Sequence, residues 1–209
     1  MQVKDLRVLV AGCGSIGLRH AGVLRDLGVV EMAACDPSEK SRQALAEQDS
    51  ACRLYADYAE ALTTENPDAV FLLTPTRLHI EMAKQAVMAG AHVFIEKPIS
   101  NSNEGVAELK ALARKKGKKV MVGFCFRYHD GLLKAKKAIE QGAIGRLVSI
   151  RALMGEPFYD IHPDYLKMYY SKYSGAFELV HDLDLAIWFA GQPIESVQSV
   201  YGSFSDMGM

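Results

Sequence analysis

The hexapeptide Gly12-Cys13-Gly14-Ser15-Ile16-Gly17 constrains the fold of this chain more than any other stretch, because it follows directly on the apolar run Leu6–Ala11 and opens a segment of helical period. In a GxGxxG turn between a strand and a helix, the first glycine makes the tight turn and the second lets the backbone approach a pyrophosphate. The third lets helix and strand pack closely. Amides at the helix start then face phosphate oxygens. Gly12, Gly14 and Gly17, with Ser15 and Ile16 at the helix start, are therefore expected to hold a dinucleotide. A plain glycine-rich turn is the competing reading, and the acidic residue that closes the next strand argues against it. Asp36 stands nineteen residues past Gly17, where a carboxylate can accept hydrogen bonds from an adenine-ribose diol, which favours NAD. Ser38, Lys40 and Arg42 are close by, so NADP stays open, and Asp36 can also cap the helix that follows Pro37.

The strand and helix alternation continues well beyond that turn. Apolar runs predict strands near Leu6–Ala11, Val29–Cys35, Arg53–Tyr55, Ala69–Thr74, His92–Glu96 and Val120–Gly123. Between them, helices are expected near Ile16–Leu27, Glu39–Gln48, Tyr58–Leu62, His79–Ala89 and Asn103–Lys116. This is an α/β pattern that feeds a Rossmann-type parallel sheet over residues 1–123. After Gly123 the rhythm changes, and residues 124–209 read as a partial α+β second domain. A helix is expected over Asp130–Gln141, whose Lys134, Lys136 and Lys137 form a solvated face, and another over Asp182–Ala190. An irregular aromatic segment, Phe158–Tyr173, lies between two strands predicted at Leu147–Met154 and Ser196–Phe204. Alternation in Val197–Phe204 places that strand beside Leu147–Met154. A two-stranded sheet keeps a free edge, so homo-oligomerisation through this region, or weak order beyond about Gln192, is expected.

Composition excludes several partner classes. Lys and Arg number 24 against 25 Asp and Glu, so the chain has no field to gather nucleic acid or acidic lipid. No apolar run reaches the length of a membrane span, and the N-terminus lacks a secretory pattern. Cys13, Cys35, Cys52 and Cys125 are scattered without a CxxC, which predicts neither a metal cage nor a disulfide framework and suits a reduced, cytoplasmic compartment.

The residues suited to chemistry cluster in three places. Glu96-Lys97-Pro98 ends the fifth strand at the carboxyl edge of the sheet, where open α/β folds hold ligands. Thr74-Pro75-Thr76-Arg77-Leu78-His79 ends the fourth, and His181-Asp182-Leu183-Asp184 opens a helix in the second domain. Together with the glycine turn, and in this order, these segments resemble the Gfo/Idh/MocA family, which carries a GxGxxG turn, a TPxxxH segment, an EKP motif and a HxxD helix. Gly123–Tyr128 and Gly142–Arg146 are similar to the family's link into its second domain.

The resemblance implies a nicotinamide cofactor, a two-domain subunit, and hydride transfer to or from a sugar, polyol or nucleotide-sugar alcohol. It implies that Lys97 positions the reacting hydroxyl and that His181 acts as acid or base, a task an imidazole can perform near neutral pH. Thr74, Pro75, His79 and Glu96 are then expected along the cofactor, and Arg127, Glu178 and Asp184 along the substrate, with Asp184 able instead to cap and orient. In two respects the sequence departs from the family. Many members carry an aspartate four residues before the histidine, where Phe177 stands here; Glu178, three before, is similar to a surface-polysaccharide sugar oxidoreductase subgroup, as is Asp160–Tyr165. The family's second domain is also usually a broad sheet, of which about two strands are expected here. The rival reading is a dinucleotide-binding subunit without catalysis. A methyltransferase also uses a glycine-rich turn but needs neither EKP nor HxxD.

Overall fold

The computed structural model describes residues 2–153 and 180–200. The aromatic segment Phe158–Tyr173, Glu178, and the far ends of both strands predicted in the second domain lie outside the described residues. The chain divides into two compact units, Met1–Gly123 and Phe124–Met209.

In the first unit, β1 (Arg7–Ala11), β2 (Glu31–Cys35), β3 (Arg53–Tyr55), β4 (Ala69–Leu72), β5 (His92–Ile95) and β6 (Val120–Val122) form one sheet in the order β3-β2-β1-β4-β5-β6. Every pairing is parallel, with Val8 opposite both Met32 and Ala69, and Val93 opposite both Val70 and Val120. This is the Rossmann order, in which the strand sequence reverses between β1 and β4. Helices α1 (Ser15–Asp26), α2 (Glu39–Gln48), α3 (Tyr58–Glu65), α4 (His79–Met88) and α5 (Val106–Lys116) make the crossovers.

The apolar runs of the strands are continuous because the sheet is buried on both faces. Successive side chains point to opposite faces, so Val8 and Val10 enter one core with Ala21 and Leu24 of α1 and Leu45 of α2. Leu9 and Ala11 enter the other, with Leu62 of α3, Val87 of α4 and Leu109 of α5. Burying a side chain such as Leu9 fully contributes about 2 kcal/mol. Local signals start the helices: the Ser38 hydroxyl accepts from Ser41 N and caps α2, and the Asp57 carboxylate accepts from Glu60 N and caps α3. Helix α3 runs past its expected end at Leu62 because Glu65 has tertiary partners, accepting from Arg53 Nη2 at 2.7 Å and from the Tyr55 hydroxyl.

In the second unit, the described residues form a short 3-10 turn (Cys125–Tyr128), α6 (Asp130–Glu140) and α7 (His181–Ala190). The two strands expected here are not formed over the described parts, Leu147–Leu153 and Ser196–Val200, which are neither helix nor strand. A period-two pattern supplies two faces, but a strand also needs a hydrogen-bonding neighbour about 4.8 Å away. None pairs with these segments among the described residues, and Leu153 and Val200 are 91% and 97% exposed. No described helix is long and apolar enough to cross a membrane.

Candidate functional site

The first unit gathers its candidate residues at the carboxyl ends of β1, β4 and β5. Gly12 leaves β1 with φ at +100°, and a Cβ there would fall 2.5 Å from the carbonyl oxygen of Leu73. A Cβ on Gly17 would fall 2.0 Å from the Gly12 carbonyl oxygen. No side chain fits at either position, so the turn is pressed against both the end of β4 and its own helix. At Gly14, by contrast, a Cβ would meet nothing within 4 Å, and no side chain caps α1 among the described residues. The open side of the turn therefore presents backbone and the positive end of a 12-residue helix, which suits a pyrophosphate. Ser15 and Ile16 are exposed beside it.

Asp36 closes β2 and reaches back to the same turn. Its Oδ2 accepts from the Cys13 amide at 2.8 Å and its Oδ1 from the Ser38 amide at 2.8 Å. A carboxylate has about four lone-pair positions, so two amide donors orient it and leave acceptors for a ribose diol. Arg42 donates to the carbonyl oxygens of Asp36 and Pro37, which holds its guanidinium beside the same corner. The dinucleotide thus fits the residues present. Burial beneath the turn pushes the Cys13 thiol up to about 12, with the Asp36 charge adding to the effect. That thiol stays protonated and packs as a small apolar group.

At the other carboxyl ends, Lys97 is half-buried. Its amide donates to Glu96 Oε2 at 2.8 Å, and the peptide bond to Pro98 is cis. The Thr74 hydroxyl faces Met82 Sδ at 3.7 Å, whereas Pro75 is exposed. His79 corrects a simple expectation. It is 1% exposed, and both ring nitrogens face backbone carbonyls, Nδ1 at 2.9 Å from Pro98 O and Nε2 at 2.8 Å from Thr74 O. An imidazole so committed has no polar atom left for a cofactor. His20 of α1, which no motif singled out, lies over the neighbouring rings, 5.3 Å from Phe94 and 6.2 Å from Phe71. Burial lowers its tendency to hold a proton, while the Glu96 charge works in the opposite sense.

The second unit has its own cluster. The His181 ring stacks on Phe126 with centroids 4.5 Å apart, and Phe124 meets its edge at 6.3 Å. Three residues along α7, Asp184 is 8% exposed and accepts a fork from Arg127, Nε to Oδ2 at 2.8 Å and Nη2 to Oδ1 at 2.6 Å. Bidentate pairs of this kind are strong and directional. Hydrogen bonding to Asp184 raises the hold of Arg127 on its proton. Asp184, expected along a substrate or as a capping and orienting group, has both oxygens turned to Arg127, and no side chain caps α7 among the described residues, so its geometry matches the orienting alternative. The fork links residues 57 apart, a pairing that no local pattern announces. No group of three His, Cys, Asp or Glu side chains that could hold a metal ion occurs among the described residues.

Known proteins match this chain over most of its length. The profile of the "Oxidoreductase family, NAD-binding Rossmann fold" matches residues 6–124, and that of the "GFO/IDH/MocA C-terminal domain" matches residues 132–207. The uncharacterized oxidoreductase YrbE of Bacillus subtilis is 30% identical over 98% of this chain and 61% of its own length. A crystal structure of myo-inositol 2-dehydrogenase from Lactobacillus plantarum superposes with a TM-score of 0.81 at 31% identity, covering 90% of this chain and 57% of that one. The WlbA dehydrogenase of Bordetella pertussis, in complex with NADH and UDP-GlcNAcA, gives a TM-score of 0.64 at 31% identity over 68% of this chain and 41% of that one. The chain spans about 60% of the length of the curated relatives it matches. A glycine turn at the reversal of a 3-2-1-4-5-6 sheet, an acidic residue closing β2, and a family profile matching more than half of the residues place this chain in the Gfo/Idh/MocA oxidoreductase family, with its NAD-binding Rossmann fold.

Proposed function

We propose that this protein is an NAD(P)-dependent oxidoreductase that moves a hydride between a nicotinamide and the CH–OH group of a polyol, sugar or nucleotide sugar. The observation that carries the reading is the turn at Gly12–Gly17, closed to any side chain at its first and third glycines, open at Gly14 and tied to Asp36. Residues 1–123 are the dinucleotide domain and residues 124–209 belong to the domain that takes substrate and mediates homo-oligomer formation. The buried, protonated thiols of Cys13, Cys35 and Cys52, each pushed up to about 12 by burial, suit a cytoplasmic enzyme.

In this reading the amides of Gly14, Ser15, Ile16 and Gly17 hold the pyrophosphate, and Asp36 accepts from the adenine ribose, which selects NAD over NADP. Thr74, Pro75 and Glu96 flank the nicotinamide end. NAD supplies the acceptor for the hydride that leaves the alcohol carbon. Lys97 donates a hydrogen bond to the reacting hydroxyl and steadies negative charge as it develops on oxygen. His181 takes the hydroxyl proton, so the alcohol loses two electrons and two hydrogens in total, one as hydride and one as proton. Arg127, held by Asp184, offers its remaining donors to substrate oxygens, and Glu178 adds a carboxylate. Inositols and nucleotide sugars head the candidate substrates, because the similar solved structures include a myo-inositol 2-dehydrogenase and a dehydrogenase in complex with UDP-GlcNAcA.

The test is cofactor reduction across a panel of inositols, sugars and nucleotide sugars with NAD and NADP, followed by Lys97→Met and His181→Asn. Each substitution should lower turnover by about a hundredfold or more while changing NAD affinity little. NAD binding without turnover on any member of the panel would replace the enzyme with a binding subunit.

A further inference from the structure

His79 is only 1% exposed, as deeply buried as any titratable side chain described in the first unit, and the chemistry above makes no use of it. Its location explains why it is there. The ladder between β4 and β5 ends at Leu72 opposite Ile95, closed by the Glu96 amide donating to Leu72 O at 2.9 Å. Beyond that bond the two segments leave the ladder, Thr74–Leu78 with a 3-10 turn at Thr76–Leu78 on one side and the irregular Lys97–Ser100 on the other. His79, the first residue of α4, places its ring between them. One nitrogen faces the carbonyl oxygen of Thr74 and the other that of Pro98, the residue joined directly to Lys97. The ring thus spans the two loops where the backbone ladder has stopped.

We propose that His79 is a positioning residue for Lys97: with the ring proton on Nδ1 it donates to the Pro98 carbonyl, and this contact helps hold the lysine's segment against the end of β4. The proposal rests on the oxidoreductase reading for its catalytic consequence and on the geometry alone for its structural one. A buried carbonyl that loses its donor is left unsatisfied, which costs more than the bond contributes when made. The segment then relaxes toward water, and the Lys97 ammonium moves with it. Displacements on the order of 1 Å in a positioned group can lower a rate about a hundredfold.

Three substitutions separate the two contacts. In His79→Asn the amide nitrogen takes the place of Nδ1 and keeps a donor for Pro98. In His79→Gln it takes the place of Nε2 and keeps a donor only for Thr74. His79→Leu removes both. Amide hydrogen exchange resolved by residue, in the full chain without cofactor, should show Lys97 and Ile99 exchanging about tenfold faster in the glutamine and leucine variants, with the asparagine variant within about threefold of the parent. The turnover number should fall in the same order while the NAD dissociation constant stays within about threefold. A purely structural histidine would instead lower protection throughout β4 and β5 in proportion to the loss in global stability, with asparagine and glutamine alike.

Equal exchange in the asparagine and glutamine variants, or parent-like exchange in all three, would overturn the proposal. Should the leucine variant fail to fold, the asparagine and glutamine pair decides. Should the parent bind NAD and turn over no alcohol, the oxidoreductase reading fails, and the exchange pattern still decides whether His79 positions Lys97.

Discussion

The two units use apolar residues in opposite ways. In the first, each of the six strands has a hydrogen-bonded neighbour, and alternate residues of β1 and β2 feed two separate cores. In the second, the described residues form two helices and a 3-10 turn, held by an ion-pair fork and stacked rings, while Val148, Leu153, Val197 and Val200 lie largely exposed. The same kind of alternating sequence makes a strand only where a partner supplies the ladder. Stability in the first unit therefore comes from burial, and in the described part of the second from a few directional contacts.

The largest expected effect tests burial. Leu9 is fully buried at the centre of the sheet, so Leu9→Ala should lower the stability of the first unit by about 2–5 kcal/mol, read from denaturant unfolding followed by far-ultraviolet circular dichroism. A loss under about 1 kcal/mol would mean that this core is not what holds the sheet. An intermediate effect is expected from the fork. Asp184→Asn leaves Arg127 with a neutral partner and should cost the second unit about 1–2 kcal/mol, toward the lower end because two-fifths of the Arg127 side chain reaches water. Trp188, the only tryptophan, lies on α7 with Lys136 Nζ 5.9 Å from its ring centroid, so its fluorescence reports on this unit. An unchanged unfolding midpoint at Trp188 would remove the fork from the account. The smallest effect belongs to the exposed apolar residues: Leu153→Ser should change stability by no more than about 0.5 kcal/mol. A loss several times larger would show that Leu153 is buried in solution and would erase the contrast between the units.

Much of the first unit was legible because its signals are local and repeated. A parallel sheet buried on both faces needs continuous apolar strands, and its crossover helices carry caps that show in sequence, as Ser38 and Asp57 do. The boundaries of β1 to β6 consequently fall within two residues of expectation. Helix α3 ran longer because Glu65 is held by Arg53 and Tyr55, twelve and ten residues away. The strands expected at Leu147–Met154 and Ser196–Phe204 mark the opposite limit, since alternation alone does not make a strand and their described residues, 147–153 and 196–200, have no paired neighbour among the described residues. Glu178 lies outside the described residues.

By itself the sequence determined the Rossmann alternation, the glycine turn, the acidic residue that follows β2, and the family motifs that single out Lys97 and His181. Each of these depends on residue type at short spacing, through backbone sterics or strand and helix period. Only the tertiary structure decided which polar groups meet. It turned both nitrogens of His79 onto backbone carbonyls from two different loops, and both oxygens of Asp184 onto Arg127. It also drew the Asp36 carboxylate to the Cys13 amide across 23 positions. The physical reason is that hydrogen bonds between distant segments have no periodicity to announce them: they form where packing of the sheet and helices happens to bring a donor within about 3 Å of an acceptor and removes the water that would otherwise satisfy both.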